Sequence, residues 1–186
     1  NNRDKVIAER IAKYLNLPWV FIEYDNKIIK EIMLSKDYIK FKKFSDVTNS
    51  IHFPQDFFAL QYLKKNKVIP INSLIVNGQT GDFISGNHIP PHTKNDDYDI
   101  LIIKFLLKHF KMSNKLLADN KPVLVKELKK RISLYDIDTK SLAQTCGALE
   151  KIEYEDRQSK YVMSGQRSYE YFNYGWRLPL WDKEYL

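Results

Sequence analysis

With 186 residues, 44% of them hydrophobic and 28% charged, the chain has the length and balance of one folded domain, or a large part of one, with a real core. Its formal net charge of +7 favours anionic partners such as nucleotides, but the lysines are scattered, which argues against a dedicated nucleic-acid surface. The single cysteine, Cys146, excludes a disulfide within the chain, and no apolar run is long enough to cross a bilayer. We therefore expect a cytoplasmic protein with neither nucleic acid nor membrane as partner.

The first half of the sequence predicts alternating helices and strands. Apolar residues at helical spacing predict a helix from Arg3 to Leu15, and the aromatic and β-branched run 19–24 predicts a strand. Asp25 or Asn26 is expected to begin a second helix, and Pro54 a further one. Residues 73–77 then predict a strand that is buried on both faces.

The second half of the sequence predicts helices alone. We expect one helix over about 97–110 and another from about Pro122. A long helix follows, with Thr139 as its candidate cap and Cys146 on its apolar side. The pattern is therefore that of an α/β first half followed by a mostly helical second half.

The loop after the predicted strand is the most unusual stretch of the sequence, since three of the six glycines lie between residues 78 and 86. Glycine lets backbone amides approach a ligand closely, and a carboxylate beside them can bind magnesium. The loop has neither the P-loop spacing nor the dinucleotide fingerprint. From spacing alone, two alternatives are open: a ligand-binding loop, or a structural turn in which Asp82 caps a helix.

Several other polar residues are candidates for a site. His52, His88 and His92 suggest a metal, but prolines separate the last two and no cysteines accompany them, so a metal held by histidines is not expected. Gln55 and Asp56 can line a substrate pocket or simply begin a helix. The mixed cations and aromatics of residues 155–172 can form a stacking surface or a solvated helix end.

Near the end of the chain, "RLPLWD" places an arginine between apolar residues. A buried arginine needs a carboxylate or phosphate partner. Arg177 is therefore a stronger functional candidate than an average arginine.

Two of these segments resemble the asparagine synthase family. Residues 76–90 resemble the family's loop Ser-Gly-Glu-Gly-Ala/Ser-Asp-Glu-x-x-Gly-Gly-Tyr, with Gly78, Asp82 and Gly86 at matching positions. Residues 175–182, "GWRLPLWD", are similar to the family's Glu-Ala-Arg-x-Pro-Phe-Leu-Asp segment. A looser likeness joins residues 8–24 to the helix and strand that follow the family's nucleotide loop. The resemblance is strongest to the divergent branch associated with bacterial surface polysaccharides.

The resemblance implies an ATP-dependent, AMP-forming amide ligase. A small carboxylate, either an amino acid or a sugar acid in polysaccharide assembly, would be adenylated with ATP and Mg²⁺. Ammonia, free or supplied by a glutaminase partner, would then form the amide. The implied fold is part of a Rossmann-like, adenine nucleotide α-hydrolase-like parallel sheet over residues 1–95, followed by the helical part of the same domain over residues 96–186.

The resemblance also implies roles for individual residues. Asp82 would hold magnesium through pyrophosphate, and cations would neutralise the leaving pyrophosphate. The residues assigned to catalysis are Gln79, Lys160 and Arg177; those assigned to the nucleotide are Gly78, Thr80, Gly81 and Asp82; those assigned to the substrate are His88 and Arg167.

The sequence departs from the family in two places. Gln79 replaces the family's glutamate, expected to be a general base, and a glutamine cannot take a proton at neutral pH. The base then lies elsewhere, the substrate differs, or activity is lost. The family's Ser-Gly-Gly-x-Asp-Ser loop does not occur in these residues and is expected upstream of Asn1, so this chain alone is expected to be inactive. The alternative is a non-catalytic relative that acts as a binding module.

Overall fold

The structure, a computed structural model, describes residues 3–46, 48, 50, 53–109, 113–182 and 184. Helices form most of it. The elements in chain order are α1 (Arg3–Tyr14), α2 (Asn26–Met33), α3 (Lys36–Ser45), α4 (Pro54–Lys65), β1 (Leu74–Val76), α5 (Gly81–Ile84), α6 (Tyr98–His109), α7 (Asn114–Ile132), α8 (Leu142–Glu153), a π-helix (Tyr154–Val162), α9 (Met163–Gly165), α10 (Arg167–Tyr171), β2 (Gly175–Arg177) and a 3₁₀ turn (Pro179–Trp181).

The predicted α/β fold with a Rossmann-like sheet is wrong for this chain. The described residues contain two strands, β1 and β2, which pair in parallel with Val76 opposite Arg177. The run 19–24 forms no strand, and most of its large side chains are exposed. β-branched and aromatic residues favour a strand only where a neighbouring strand pairs with them, and the described residues place no strand beside this run. Tyr24 instead packs edge-on against Phe58 of the helical core.

Within the described residues, one hydrophobic core is aromatic, and it supports the first half of the chain in place of the expected sheet. Helices α3, α4 and α10 pack together through their rings. Phe41 and Phe57, both fully buried, lie 4.7 Å apart between ring centroids. β1 touches this core through Ile75 alone, while Leu74 and Val76 are exposed, so the prediction of a strand buried on both faces is also wrong.

The second core joins α6, α7 and α8. Its buried residues include Ile102 and Leu149, and Cys146 packs against it as predicted. Helix α7 begins at Asn114 behind a Ser113 cap and passes through Pro122, whereas the sequence predicted a start near that proline.

Local signals located most of the helices correctly. The carboxylate of Asp25 accepts bonds from two amides and caps α2, and Pro54 is the first residue of α4. The cap of α8 is Ser141 rather than Thr139.

Among the described residues, no helix has both the length and the apolar character needed to cross a membrane.

Candidate functional site

The parallel pairing of β1 and β2 brings the two family-like segments to one edge of the sheet. Both strands end there, and the amide of Asn77 donates to the carbonyl of Arg177 over 3.0 Å. A Cβ at Gly81 would lie 3.2 Å from Cδ1 of Leu180. The glycine loop, residues 77–82, is therefore packed directly against the segment that follows β2.

Asn77 anchors the glycine loop to two helices. Its Oδ1 accepts from the amide of Gln79 over 2.8 Å, and its Nδ2 donates to the hydroxyl of Tyr169 over 2.5 Å. That hydroxyl donates in turn to Asp56 over 3.1 Å. Burial raises the pKa of Asp56, and burial together with the nearby Asp56 raises the pKa of Tyr169. Asp56 thus does more than begin α4, because it holds the tyrosine that supports the loop.

The backbone of the loop is unusual at Thr80. This residue has φ +80°, in the left-handed region, although a β-branched side chain rarely adopts it. Its side chain is buried, and its hydroxyl has no hydrogen-bond partner within the described residues. Such strain persists only where the surroundings impose it, and it is common at binding sites.

Asp82 lies in the first turn of α5 and does not cap it. Its Oδ1 accepts from the amide of Phe83 over 3.0 Å, and its Oδ2 lies 3.0 Å from Nε2 of His88. The Asp82 side chain remains 51% exposed. The residue at the cap position is Thr80, whose side chain makes no capping bond. The alternative of a simple helix-capping turn is therefore not what the structure contains.

Behind His88 lies a buried carboxylate that the sequence analysis missed. Glu153, 3% exposed, accepts from Arg157 over 2.9 Å and from Gln158 over 3.2 Å. Its Oε1 lies 3.5 Å from Nδ1 of His88, and its Oε2 lies 3.5 Å from Nδ1 of His109. Burial lowers the pKa of His109, while the neighbouring Glu153 acts in the opposite direction.

The π-helix makes this cluster possible. Residues five apart in an α-helix point about 140° away from each other. In a π-helix the i→i+5 bonding pattern widens the turn and brings them to one face. Glu153 can therefore contact both Arg157 and Gln158. The available sequence signal was a glutamate on the apolar side of α8, next to Ile152.

The three cations assigned from the resemblance bond to groups outside the glycine loop. Arg177 is exposed, contrary to expectation, and its guanidinium donates to the carbonyl of Trp176. Lys160 pairs with Asp156 on the exposed side of the π-helix. Arg167 donates to the carbonyl of Phe44 over 2.8 Å. Within the part of the chain that the structure describes, none of these three charged groups bonds to the glycine loop.

Gln79 is held by another glutamine. Its Oε1 accepts from Nε2 of Gln166 over 2.5 Å, and Gln166 is almost fully buried. Gln166 also donates to the carbonyl of Val162, which leaves its own Oε1 without a partner among the described residues. Where the family has a glutamate that is expected to act as a base, this chain has an amide that is hydrogen-bonded to a buried glutamine.

Two cavities flank this region. One, of about 640 Å³, lies beside β2 and is lined by residues that include Ser159, Glu170, Arg177 and Trp181. The other, of about 530 Å³, lies between α6, α7 and the π-helix and is bordered by Glu153, His109 and Lys160. The first opens next to the segment that resembles the family and is the better candidate for a substrate pocket.

Mg²⁺ usually takes one or two carboxylates and completes its shell with water and phosphate oxygens. Asp82, half exposed and held at both oxygens, fits the role of that carboxylate. No group of three or more His, Cys, Asp or Glu that could hold a metal occurs in the described ranges, so a cage made by the protein alone does not fit. His52 lies outside the described residues, and His92 bonds to the carbonyl of Pro90.

No protein-family model, curated protein or solved structure matches this chain. The resemblance to the asparagine synthase family therefore remains a prediction based on the residues quoted above. The geometry at the strand ends is the further observation that bears on function.

Proposed function

We propose that this chain is part of an ATP-dependent, AMP-forming amide ligase similar to asparagine synthase. The observation that supports the proposal most strongly is the pairing of β1 with β2. Two segments far apart in the sequence, each chosen for its likeness to the same family, end at the same edge of the sheet with Val76 opposite Arg177. If the two segments resembled the family only by chance, there would be no reason for them to lie side by side in the fold.

In this function, bound Mg²⁺ would screen the negative charge of ATP and its leaving pyrophosphate. Asp82 would hold the ion, with its carboxylate oriented by the amide of Phe83 and by His88. Gly78 has open space where a side chain would otherwise stand, which lets phosphate oxygens approach the backbone. Gln79 would orient the substrate by hydrogen bonding, since its amide cannot accept a proton at neutral pH. The substrate would be a small carboxylate, with ammonia or a glutaminase partner as the nitrogen source.

The test is ATP–pyrophosphate exchange by the full-length protein across a panel of amino acids and sugar acids. We expect exchange with at least one carboxylate, and a loss of about a hundredfold in the Asp82→Asn variant because the ion loses its charged ligand. Asp119→Asn, an exposed change in α7, is the matched control and should exchange at the wild-type rate. Absence of exchange with every carboxylate, from folded protein, would contradict the proposal.

A non-catalytic binding module is the second candidate. It is favoured by Gln79, whose amide oxygen already accepts from Gln166, and by the bonds of the three assigned cations, none of which goes to the glycine loop within the described residues. It predicts no binding of ATP with Mg²⁺ to the full-length protein by calorimetry. Micromolar affinity would exclude it.

A further inference from the structure

One imidazole lies between two carboxylates of very different exposure. Nε2 of His88 lies 3.0 Å from the half-exposed Asp82, and Nδ1 lies 3.5 Å from the buried Glu153. The ring itself is almost completely buried. Nη1 of Arg157, which donates to Glu153, also lies 3.2 Å from Nε2 and 3.5 Å from Nδ1 of this ring. The orientation of His88 is therefore set by the Glu153–Arg157 pair, while Nε2 also faces Asp82 in the candidate site.

Glu153 has more polar neighbours than charge balance requires. A buried carboxylate is costly unless it is paired, and the guanidinium of Arg157 already supplies one opposite charge at 2.9 Å. Gln158 adds a hydrogen bond, and both His88 and His109 present a ring nitrogen to the same carboxylate. The geometry makes Glu153 the centre on which these side chains converge.

We infer that Glu153 is a positioning residue that acts through His88 to hold the carboxylate of Asp82 in one orientation. The role of that orientation in magnesium binding rests on the proposed function. An aspartate as exposed as Asp82 would otherwise move among its rotamers. His88 holds one oxygen and the amide of Phe83 holds the other, so the carboxylate presents a fixed edge to the solvent. Loss of the partners that orient a metal-binding side chain typically weakens metal binding 10–100-fold.

The first experiment detects the link without any activity. NMR spectra of the full-length protein would follow the ring nitrogens of His88 and the backbone amide of Asp82. Glu153→Gln should move both sets of signals, while Glu155→Gln, a half-buried glutamate of the same helical stretch that pairs with Arg131 and Tyr135 instead, should leave them in place. If Glu153→Gln does not fold, Glu153→Asp and His88→Gln serve instead: the former should move both sets of signals, the latter the amide alone. Unchanged signals in folded variants would overturn the inference.

The second experiment measures the Mg²⁺ dependence of ATP–pyrophosphate exchange. Glu153→Gln and His88→Gln should each raise the Mg²⁺ concentration for half-maximal exchange by about tenfold or more, with little change in rate at saturating Mg²⁺. The double variant should be no worse than either single one, because both changes release the same carboxylate. Additive effects, or shifted NMR signals with unchanged Mg²⁺ dependence, would overturn the positioning role.

The two experiments separate this inference from the proposed function. If the wild-type protein shows no exchange, the ligase proposal fails. In that case a titration with MgCl₂ and pyrophosphate, followed at the Asp82 amide, still compares Glu153→Gln with wild type. A weaker response in Glu153→Gln supports the positioning role, and equal responses overturn it.

Discussion

Gly165, at the end of α9, allows the closest side-chain approach to any glycine that the structure describes. A Cβ built there would lie 2.3 Å from Cδ2 and 2.6 Å from Cε2 of Phe53. Carbon atoms in contact lie about 3.5–4.0 Å apart, so Gly165→Ala must displace the ring. The ring has little freedom, because it packs against Tyr161 with 4.2 Å between centroids.

The cost of Gly165→Ala follows from two opposing effects. Overfilling a packed interior typically costs about 1–3 kcal/mol, whereas alanine in a helix gains up to about 1 kcal/mol over glycine. We expect a net loss of about 1–2 kcal/mol. Gly147→Ala is the matched control: Gly147 lies within α8, is exposed and has no heavy atom within 4 Å of a Cβ. That variant should gain about 0.5–1 kcal/mol.

Urea unfolding of the 186-residue chain, followed by far-UV circular dichroism, measures the change in unfolding free energy of each variant if the m-values stay equal. A double-mutant cycle tests whether the Phe53 ring causes the loss. In a Phe53→Ala background the ring is absent, so Gly165→Ala should lose most of its cost. If Gly165→Ala is as stable as Gly147→Ala, the packing of α9 against Phe53 is not as described. If its cost persists without the ring, the clash is not the reason.

Three further changes test other parts of the fold. Tyr169→Phe removes the hydroxyl that bonds the side chains of Asn77 and Asp56, and should lower the free energy of unfolding by about 1–3 kcal/mol in urea. The control is Tyr174→Phe, which should be near neutral because the Tyr174 hydroxyl makes no hydrogen bond within the described residues. Burial raises the pKa of Asp56, so the folded protein binds that proton more tightly than the unfolded chain, and stability falls as pH rises through the folded pKa. Asp56→Asn should therefore melt higher than wild type near pH 7 and lose this advantage below the usual aspartate pKa of 3.8; a constant difference at all pH values would contradict it. Pro122→Ala restores a backbone donor inside α7 and should stabilise by up to about 3 kcal/mol, and a lower melting temperature would show that the proline is needed there.

The sequence predicted best what depends on neighbouring residues. Asp25 as a cap and Pro54 as a first helical residue act on amides within one turn, so their effect is readable locally. The glycine loop was also placed correctly at the carboxyl end of a strand. The same local reading failed at residues 19–24, because a strand exists only with a partner, and no residue in that run says whether one is present.

Pairing between distant segments was beyond the sequence analysis. The partner of β1 lies after all the helices of the second half, so the two strands could not be matched by spacing. Arg177 shows the consequence. Its apolar neighbours predicted burial, but in a strand successive side chains point to opposite faces, and that of Arg177 faces out while Trp176 packs inward.

The buried Glu153 was hidden for a different physical reason. A helical pattern is read at 3.6 residues per turn, and at that period Glu153 and Gln158 do not share a face. The change to i→i+5 bonding after Glu153 brings Gln158 onto the carboxylate, over 3.2 Å, while Arg157 remains in reach. The π-helix is rare and is frequently found at functional sites. The wider turn of the π-helix therefore brings the hydrogen-bond donors that the buried Glu153 carboxylate needs. The same carboxylate faces His88, which lies beside Asp82.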